Sequence, residues 1–260
     1  MDMALLIAKS GLDAHHKSIE VISNNLANSN TTAFKKNRPE FQDLPYQVIS
    51  QKGAPVTQDI DSPGGLVIGT GTKMANNKKI FTQGTLIQTD NATDLSIQGR
   101  GFLKVQLPNG NYAYTRDGNL TVNGQGQLTL SNGYLVQPPI TIPQGSGPLM
   151  IAKDGTVSAS GTDGTIQTLG QLTLTDFINP DGLDPQGENL YLQTVASGNG
   201  TDGTPMLNGL GSLNQGQLEG SNVNVVEEMV NLIEAQRAFE VTSKAVSAVD
   251  NMLQTLSREA

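Results

Sequence analysis

Apolar residues recur at alternating steps of three and four at both ends of the chain, and the middle matches neither end. Leu5, Ala8, Leu12, His15, Ile19, Ile22 and Leu26 form the first series; Leu232, Ala235, Phe239, Thr242, Val246, Val249, Leu253 and Leu256 form the second. This spacing is the a/d seam of a coiled coil, which keeps an apolar stripe turned toward a partner helix. Neither stripe stays dry alone. Each end therefore needs cover from the other end, from a neighbouring copy, or from both.

The first series predicts an amphipathic helix over 3–28, about 39 Å long. Asp13 and Lys17 sit at i,i+4 in the favourable order on its polar side. The helix should fail at Asn24, Asn25, Asn28, Ser29, Asn30, Thr31 and Thr32, whose short polar side chains compete for backbone hydrogen bonds. The second series predicts a helix from about 224 to 257, roughly 50 Å long. Asn224 suits its N-cap, Glu227 completes a capping box, and Glu228 also lies in the first turn near the positive dipole end. Ala238, Val241, Ala245, Ala248 and Met252 add a second apolar stripe beside the first. A helix apolar over that much of its girth expects more than one neighbour.

Between the helices the period changes to two. Leu103, Val105 and Leu107 alternate with polar residues before Pro108-Asn109-Gly110, and Tyr112 and Tyr114 follow before Asp117-Gly118. Leu120 with Val122 and Leu128 with Leu130 flank a turn over Gly124–Gly126. Further turns are expected at Asn132-Gly133, Asp154-Gly155 and Asp163-Gly164, and further strands at 171–175 and 190–193. These signals predict an antiparallel, meander-like β domain over 95–205. Residues 40–94 are the hardest to assign, with no clear period over 51–71, and are expected as extended chain or long loop with one hairpin. The fold class is α+β: long terminal helices forming a coiled-coil-like domain from 1–35 and 221–260, connecting chain at 36–94 and 206–220, and the central β domain.

Composition narrows the functions. The formal charge of −8, with no basic run, argues against nucleic acid, whose phosphates demand clustered Lys and Arg. With no cysteine there is no disulfide framework and no thiolate metal site. The two histidines are adjacent on one helix, His15 on the seam and His16 facing out, so they do not converge on one ion. The Asp-Gly pairs are turn dipeptides without the ligand spacing of a calcium loop. Gly99-Arg100-Gly101 precedes a strand rather than a helix and is no phosphate loop. Triads and zinc catalysis lack their parts, so the expectation is a non-enzyme with no metal or cofactor. Residues 3–8 are too short for a secretory h-region before Lys9, and no segment approaches the roughly 20 apolar residues of a membrane span.

Three separated motif blocks resemble one family. Asn24-Asn25-Leu26-Ala27-Asn28 followed by Thr32-Ala33-Phe34-Lys35 is similar to the N-terminal signature of the bacterial flagellar rod and hook proteins. The run from Asn222 to Ala245, with Glu227-Glu228 and Gln236-Arg237-Ala238-Phe239, resembles their C-terminal signature. Gly99-Arg100-Gly101-Phe102 and Tyr114-Thr115-Arg116-Asp117-Gly118 resemble the motifs opening their common β domain. Position 33 carries Ala where the family often has Gly. The segment 46–63 looks like the extra piece carried by distal-rod members.

The resemblance implies a helical homopolymer crossing the periplasm and passing torque from motor to hook. The implied partners are proximal rod proteins, hook protein and the P- and L-ring bushing, with export through the flagellar type III apparatus rather than a Sec signal. The expected assembly contacts are Leu5, Leu12, Ile19, Ile22 and Leu26 with Leu232, Phe239, Val246, Val249, Leu253 and Leu256. Two alternatives stand beside it: a proximal rod or hook-type axial protein, and a secreted β-rich binding module with a helical stalk. The wide apolar faces and the lack of an aromatic-lined surface count against the second.

Overall fold

The computed structural model describes residues 3–50, 55–57, 60–61, 65–161 and 165–259; the side chains of 55–57, 60, 61, 253, 254 and 256–259 lie outside that description, as does the turn expected at Asp163-Gly164. The protein is α+β, with one helix near each end and a central body of antiparallel strands. It divides into two compact units. One comprises Met1–Ala27, Asn37–Lys79 and Asn224–Ala260, the other Asn28–Lys36 and Ile80–Val223.

In the first unit, helix α1 spans Met3–Ala27 and helix α2 spans Val225–Glu259. α1 stops where the asparagines begin. α2 starts at a capped end: the Asn224 Oδ1 accepts the backbone N–H of Val226 at 3.1 Å and of Glu227 at 3.4 Å. The helices pack against each other and run antiparallel. Asn25 Nδ2 donates to Glu228 Oε2 at 3.1 Å, and a Cβ placed on Gly11 would lie 3.7 Å from Thr242 Cγ2. Gly11 and Asn25 are fourteen residues apart, as are Glu228 and Thr242, so both contacts belong to one register.

The same unit holds what the sequence left without a period. Asn37–Asp43 pairs with Thr72–Lys79, Tyr46–Ser50 with Leu66–Gly69, and Pro55–Thr57 with Ile60–Asp61. All three ladders are antiparallel and share a register that single-residue bulges shift at Glu40/Phe41, Val48/Ser50 and Pro55/Thr57, the first two cancelling. The first two are rungs of one two-stranded ribbon, joined by the Leu44 N–H bond to Gly71 O. Tyr46–Ser50 is exposed throughout, so no buried face imposes the alternation by which strands are read from sequence.

In the second unit the main sheet runs in the order Leu120–Val122, Leu128–Leu130, Leu135–Gln137, Phe102–Gln106, Tyr112–Thr115, Leu190–Leu192, Asp184–Gly187, with Leu174–Asp176 also paired to Phe102–Gln106 and to Thr201–Gly203. A three-stranded sheet of Leu149–Ile151, Thr156–Ser160 and Ile166–Gln171 accompanies it. One core of Leu, Val and Ile side chains holds the body together, with Leu95, Leu103, Val105, Leu120, Leu172 and Leu174 fully buried in it. A smaller aromatic cluster packs edge to face, Tyr114 on Phe177 at 4.7 Å between ring centroids and Phe102 on Phe177 at 5.9 Å.

Two details differ from the sequence reading. The strand expected over 171–175 is broken at Leu172, which turns into the core and gives its N–H to Gly155 O. Residues 206–220, read as connecting chain, contribute Ser212–Gln215, paired with Leu95–Gln98, and Gln217–Glu219, paired with Leu86–Gln88. Leu213 is fully buried in the core, which draws this segment into the β body. The glycines of the β motifs have steric reasons: a Cβ on Gly118 would lie 1.6 Å from Leu95 O, and Gly99, at φ +116°, lies against Gly211.

Candidate assembly interface and its polar clasps

The helical candidates fall into three groups. Ile22 is buried, and Leu5, Leu12, Ile19, Leu26, Leu232, Phe239, Val246 and Val249 are half-buried. The side chains of Leu253 and Leu256 lie outside the described residues. The most deeply buried positions on the two helices are Ala14, Ile22 and Asn25 on α1 and Glu228 and Ala235 on α2. α1 also packs on the ribbon: Ser10 Oγ accepts the Thr72 N–H at 3.2 Å, and Asn25 meets the backbone of Asn37.

The second stripe of α2 is left uncovered. Val241 is 67% exposed and Met252 57%, with Ala245 and Ala248 exposed between them. Toward the start of α2, Val226, Met229, Val230 and Ile233 extend the apolar surface, Val226 at 71% exposure. On α1, Leu6 also faces out. Scattered exposed apolar residues are ordinary; a run of them along one helix is the kind of patch that marks interaction surfaces.

The family-motif residues carry polar connections. Asn25 is buried, and its amide pairs with the backbone of Asn37 in both directions: Oδ1 accepts the Asn37 N–H at 2.9 Å and Nδ2 donates to Asn37 O at 2.8 Å. Its remaining N–H goes to the buried carboxylate of Glu228. Asn28 accepts the Thr31 hydroxyl, Thr32 O accepts the Asn189 amide at 2.8 Å, and Asn222 N–H donates to Phe34 O. Asn24, Ala27, Glu227, Gln236 and Arg237 are exposed. Ala33 is buried at φ +57°, in the left-handed region, which explains why glycine suits this position.

In the second unit lies a charge cluster that sequence reasoning missed. Lys35 and Glu219 are fully buried and pair at 2.6 Å; the Arg116 Nε donates to the other Glu219 oxygen at 3.0 Å. The Gly84 N–H adds a third bond to Glu219, and Lys35 also donates to Thr82 O. Arg116 spends its remaining nitrogens on the carbonyls of Gly101, Ile97 and Gly99. Two cations thus share one carboxylate, and backbone carbonyl dipoles take up the excess positive charge. Burial and the neighbouring Arg116 pull Lys35 down to about 8, against the opposing pull of Glu219. Burial pushes the Glu219 carboxyl up, but Arg116, Lys35 and the bonds it accepts bring it below its ordinary value. Further bonds complete the clasp: the Ala33 N–H donates to Glu219 O at 2.7 Å, and the Asn222 side-chain amide accepts the Lys36 N–H and donates to Ile80 O and Thr82 O. One signal was available, because no charged residue occurs between Asp202 and Glu219. An isolated charge after so long a neutral stretch marks a particular partner.

Among the described residues no cluster of His, Asp or Glu is placed to hold a metal ion, and no helix is long and apolar enough to cross a membrane. The geometry is that of a structural subunit: uncovered helix faces and buried clasps. Residues 5–35 match the family model described as flagella basal body rod protein, residues 96–159 that of the flagellar hook protein FlgE/F/G D1 domain, and residues 214–259 that of the flagellar basal body rod FlgEFG protein C-terminal region. The chain is 49% identical over 257 residues to the flagellar basal-body rod protein FlgG of Buchnera aphidicola subsp. Schizaphis graminum, covering 98% of each chain. It is 46% identical to the protein of that name from Caulobacter vibrioides, again over 98% of each, and 35% identical to that from Bacillus subtilis, over 95% of each. The chain belongs to the flagellar basal-body rod protein family, whose members are structural and not enzymes. Within that family it is a structural subunit of the distal rod.

Proposed function

We propose that copies of this chain polymerise through their terminal helices into a coiled-coil-like core, forming a rod that crosses the periplasm and passes torque to the hook. The uncovered second stripe of α2 carries this reading: once α1 covers one side, Val241, Ala245, Ala248 and Met252 still lack cover. A neighbouring subunit supplies it, and the same contact repeated by an operator that does not close yields a filament. Packed helices running along the axis resist twisting because close-packed cores deform little.

The proposed division of labour follows the two units: the terminal helices form the polymer core, while the strands of 95–205 form a β domain into which 28–36 and 206–220 are drawn. Segment 46–63 touches neighbouring subunits and keeps the rod straight; the exposed Tyr46, Val48 and Ile49 of its ribbon suit that contact. The proposed partners are proximal rod proteins at one end, hook protein at the other, and the P- and L-ring bushing around the shaft. Export uses the flagellar type III apparatus.

Phe239→Asp tests the reading in cells. The expected result is loss of rods and of swimming while the purified variant keeps a folded β unit. Normal rods built from Phe239→Asp subunits would overturn it.

A further inference from the structure

We propose that Asn25, acting through Glu228, fixes the register in which α1 lies along α2. The proposal rests on the polymer reading for its purpose, since a filament needs identical subunits, but its geometry belongs to a single chain.

Apolar contacts alone leave this register poorly defined. On α2 the inward positions recur every seven residues, at Glu228, Ala235, Thr242 and Val249, all buried or half-buried. Sliding α1 by one heptad toward the C-terminus of α2 would set Ala235 opposite Asn25, and the seam would still present small and aliphatic residues to each other. Helix length does not forbid the slip, because α2 has 35 residues against 25 in α1. Dispersion and burial, which are non-directional, separate the two arrangements weakly.

The Asn25 amide separates them strongly. Asn37 presents an N–H and a carbonyl, so the amide must turn its oxygen to the first and one N–H to the second. Its orientation is thereby set by chemistry. The remaining N–H points at Glu228, at 3.1 Å. Asn25 is 1% exposed and Glu228 4%, so a slip strips a charge-assisted hydrogen bond in a place water does not reach. A pair of leucines would bury more apolar surface in the same space. Polar groups kept at such a position set registry at a cost in stability.

The absence of cysteine from the chain gives a clean background for disulfide mapping. Gly11→Cys with Thr242→Cys reports the observed register, and Gly11→Cys with Val249→Cys reports the heptad slip. Both pairs are placed in the full-length protein, in Asn25→Leu/Glu228→Leu, and in Glu228→Gln, with helix content followed by circular dichroism. In the parent the 11–242 crosslink should exceed the 11–249 crosslink by about tenfold or more, the ratio one lost buried hydrogen bond supplies. The double leucine variant should keep its helices and raise the 11–249 yield relative to the 11–242 yield, although the bonds of 33–36 to 219–222 still favour the observed register. Glu228→Gln, which still accepts from Asn25, should behave as the parent does. An 11–249 yield that stays at the parent level in the double leucine variant overturns the proposal, and so does loss of helix in that variant. Failure of the parent to form 11–242 while both helices are present would instead contradict the helix pairing beneath the polymer reading.

Discussion

Lys35 and Glu219, separated by 184 positions in the chain, form a fully buried ion pair at 2.6 Å. The pair, with Arg116, ties residues 28–36 to the body of the β unit. Breaking a buried pair from one side leaves the other charge stranded, and here removal of Glu219 strands two cations at once. Glu219→Ala is expected to destabilise the β unit by about 3–5 kcal/mol. Lys35→Met should cost clearly less, because Arg116 and Glu219 remain a neutral pair. Urea denaturation followed by near-ultraviolet circular dichroism of the tyrosines measures both; a larger loss for Lys35→Met would contradict the arrangement.

The same cluster gives the pH dependence a defined sign. Lys35 titrates near 8 when folded and near 10.5 when unfolded. Between those values the unfolded chain binds more protons than the folded one, so this group makes stability rise with pH across that window. The difference in denaturation midpoint between parent and Lys35→Met should move in the parent's favour from about pH 8 to about pH 10. Glu219 acts at the other end: its depressed carboxyl contributes stability at neutral pH that is lost on acidification through its folded value. A parent-minus-variant difference that stays flat on the alkaline side would contradict the Lys35 assignment.

Ala33 sits at φ +57° with its N–H bonded to Glu219 O. An L-residue there carries a left-handed penalty of about 1–2 kcal/mol, which glycine avoids at the cost of greater freedom when unfolded. Ala33→Gly should raise the thermal midpoint of the β unit, with a net gain of about 1 kcal/mol. A lowered midpoint would show that the Ala33 methyl contributes more by packing than it loses by strain.

The ribbon makes a different kind of prediction. A lone two-stranded ribbon is marginal in water, and this one exposes Tyr46, Val48, Ile49 and Leu66. Deleting Tyr46 to Pro63 should leave a chain that still assembles but forms a bent, hook-like polymer, visible by electron microscopy. Straight polymers from the deleted chain would remove the segment's proposed role.

Legibility followed the physics of each element. α1 and α2 could be read within a residue or two because a buried face imposes a period and Asn224 marks a start. The hairpin at Asn109-Gly110 could be read for the same local reason, with Gly110 at φ +83°. Tyr46–Ser50 could not, since full exposure leaves no alternation to see. The charge cluster as a whole could not be read, because Lys35, Arg116 and Glu219 are brought together only by the tertiary fold; the neutral stretch before Glu219 marked that residue alone. Asn25 stands between these cases: it was noted as a helix-ending residue in a motif, while its partners Asn37 and Glu228 needed coordinates.

The most direct test of the uncovered helix faces is sedimentation of the full-length chain at rising concentration. The polymer reading predicts species that grow without a finite limit, and it predicts that Val241→Glu, on the open stripe, halts this growth while leaving helix content unchanged. A full-length protein that stays monomeric at every concentration, with α1 and α2 both folded, would contradict it.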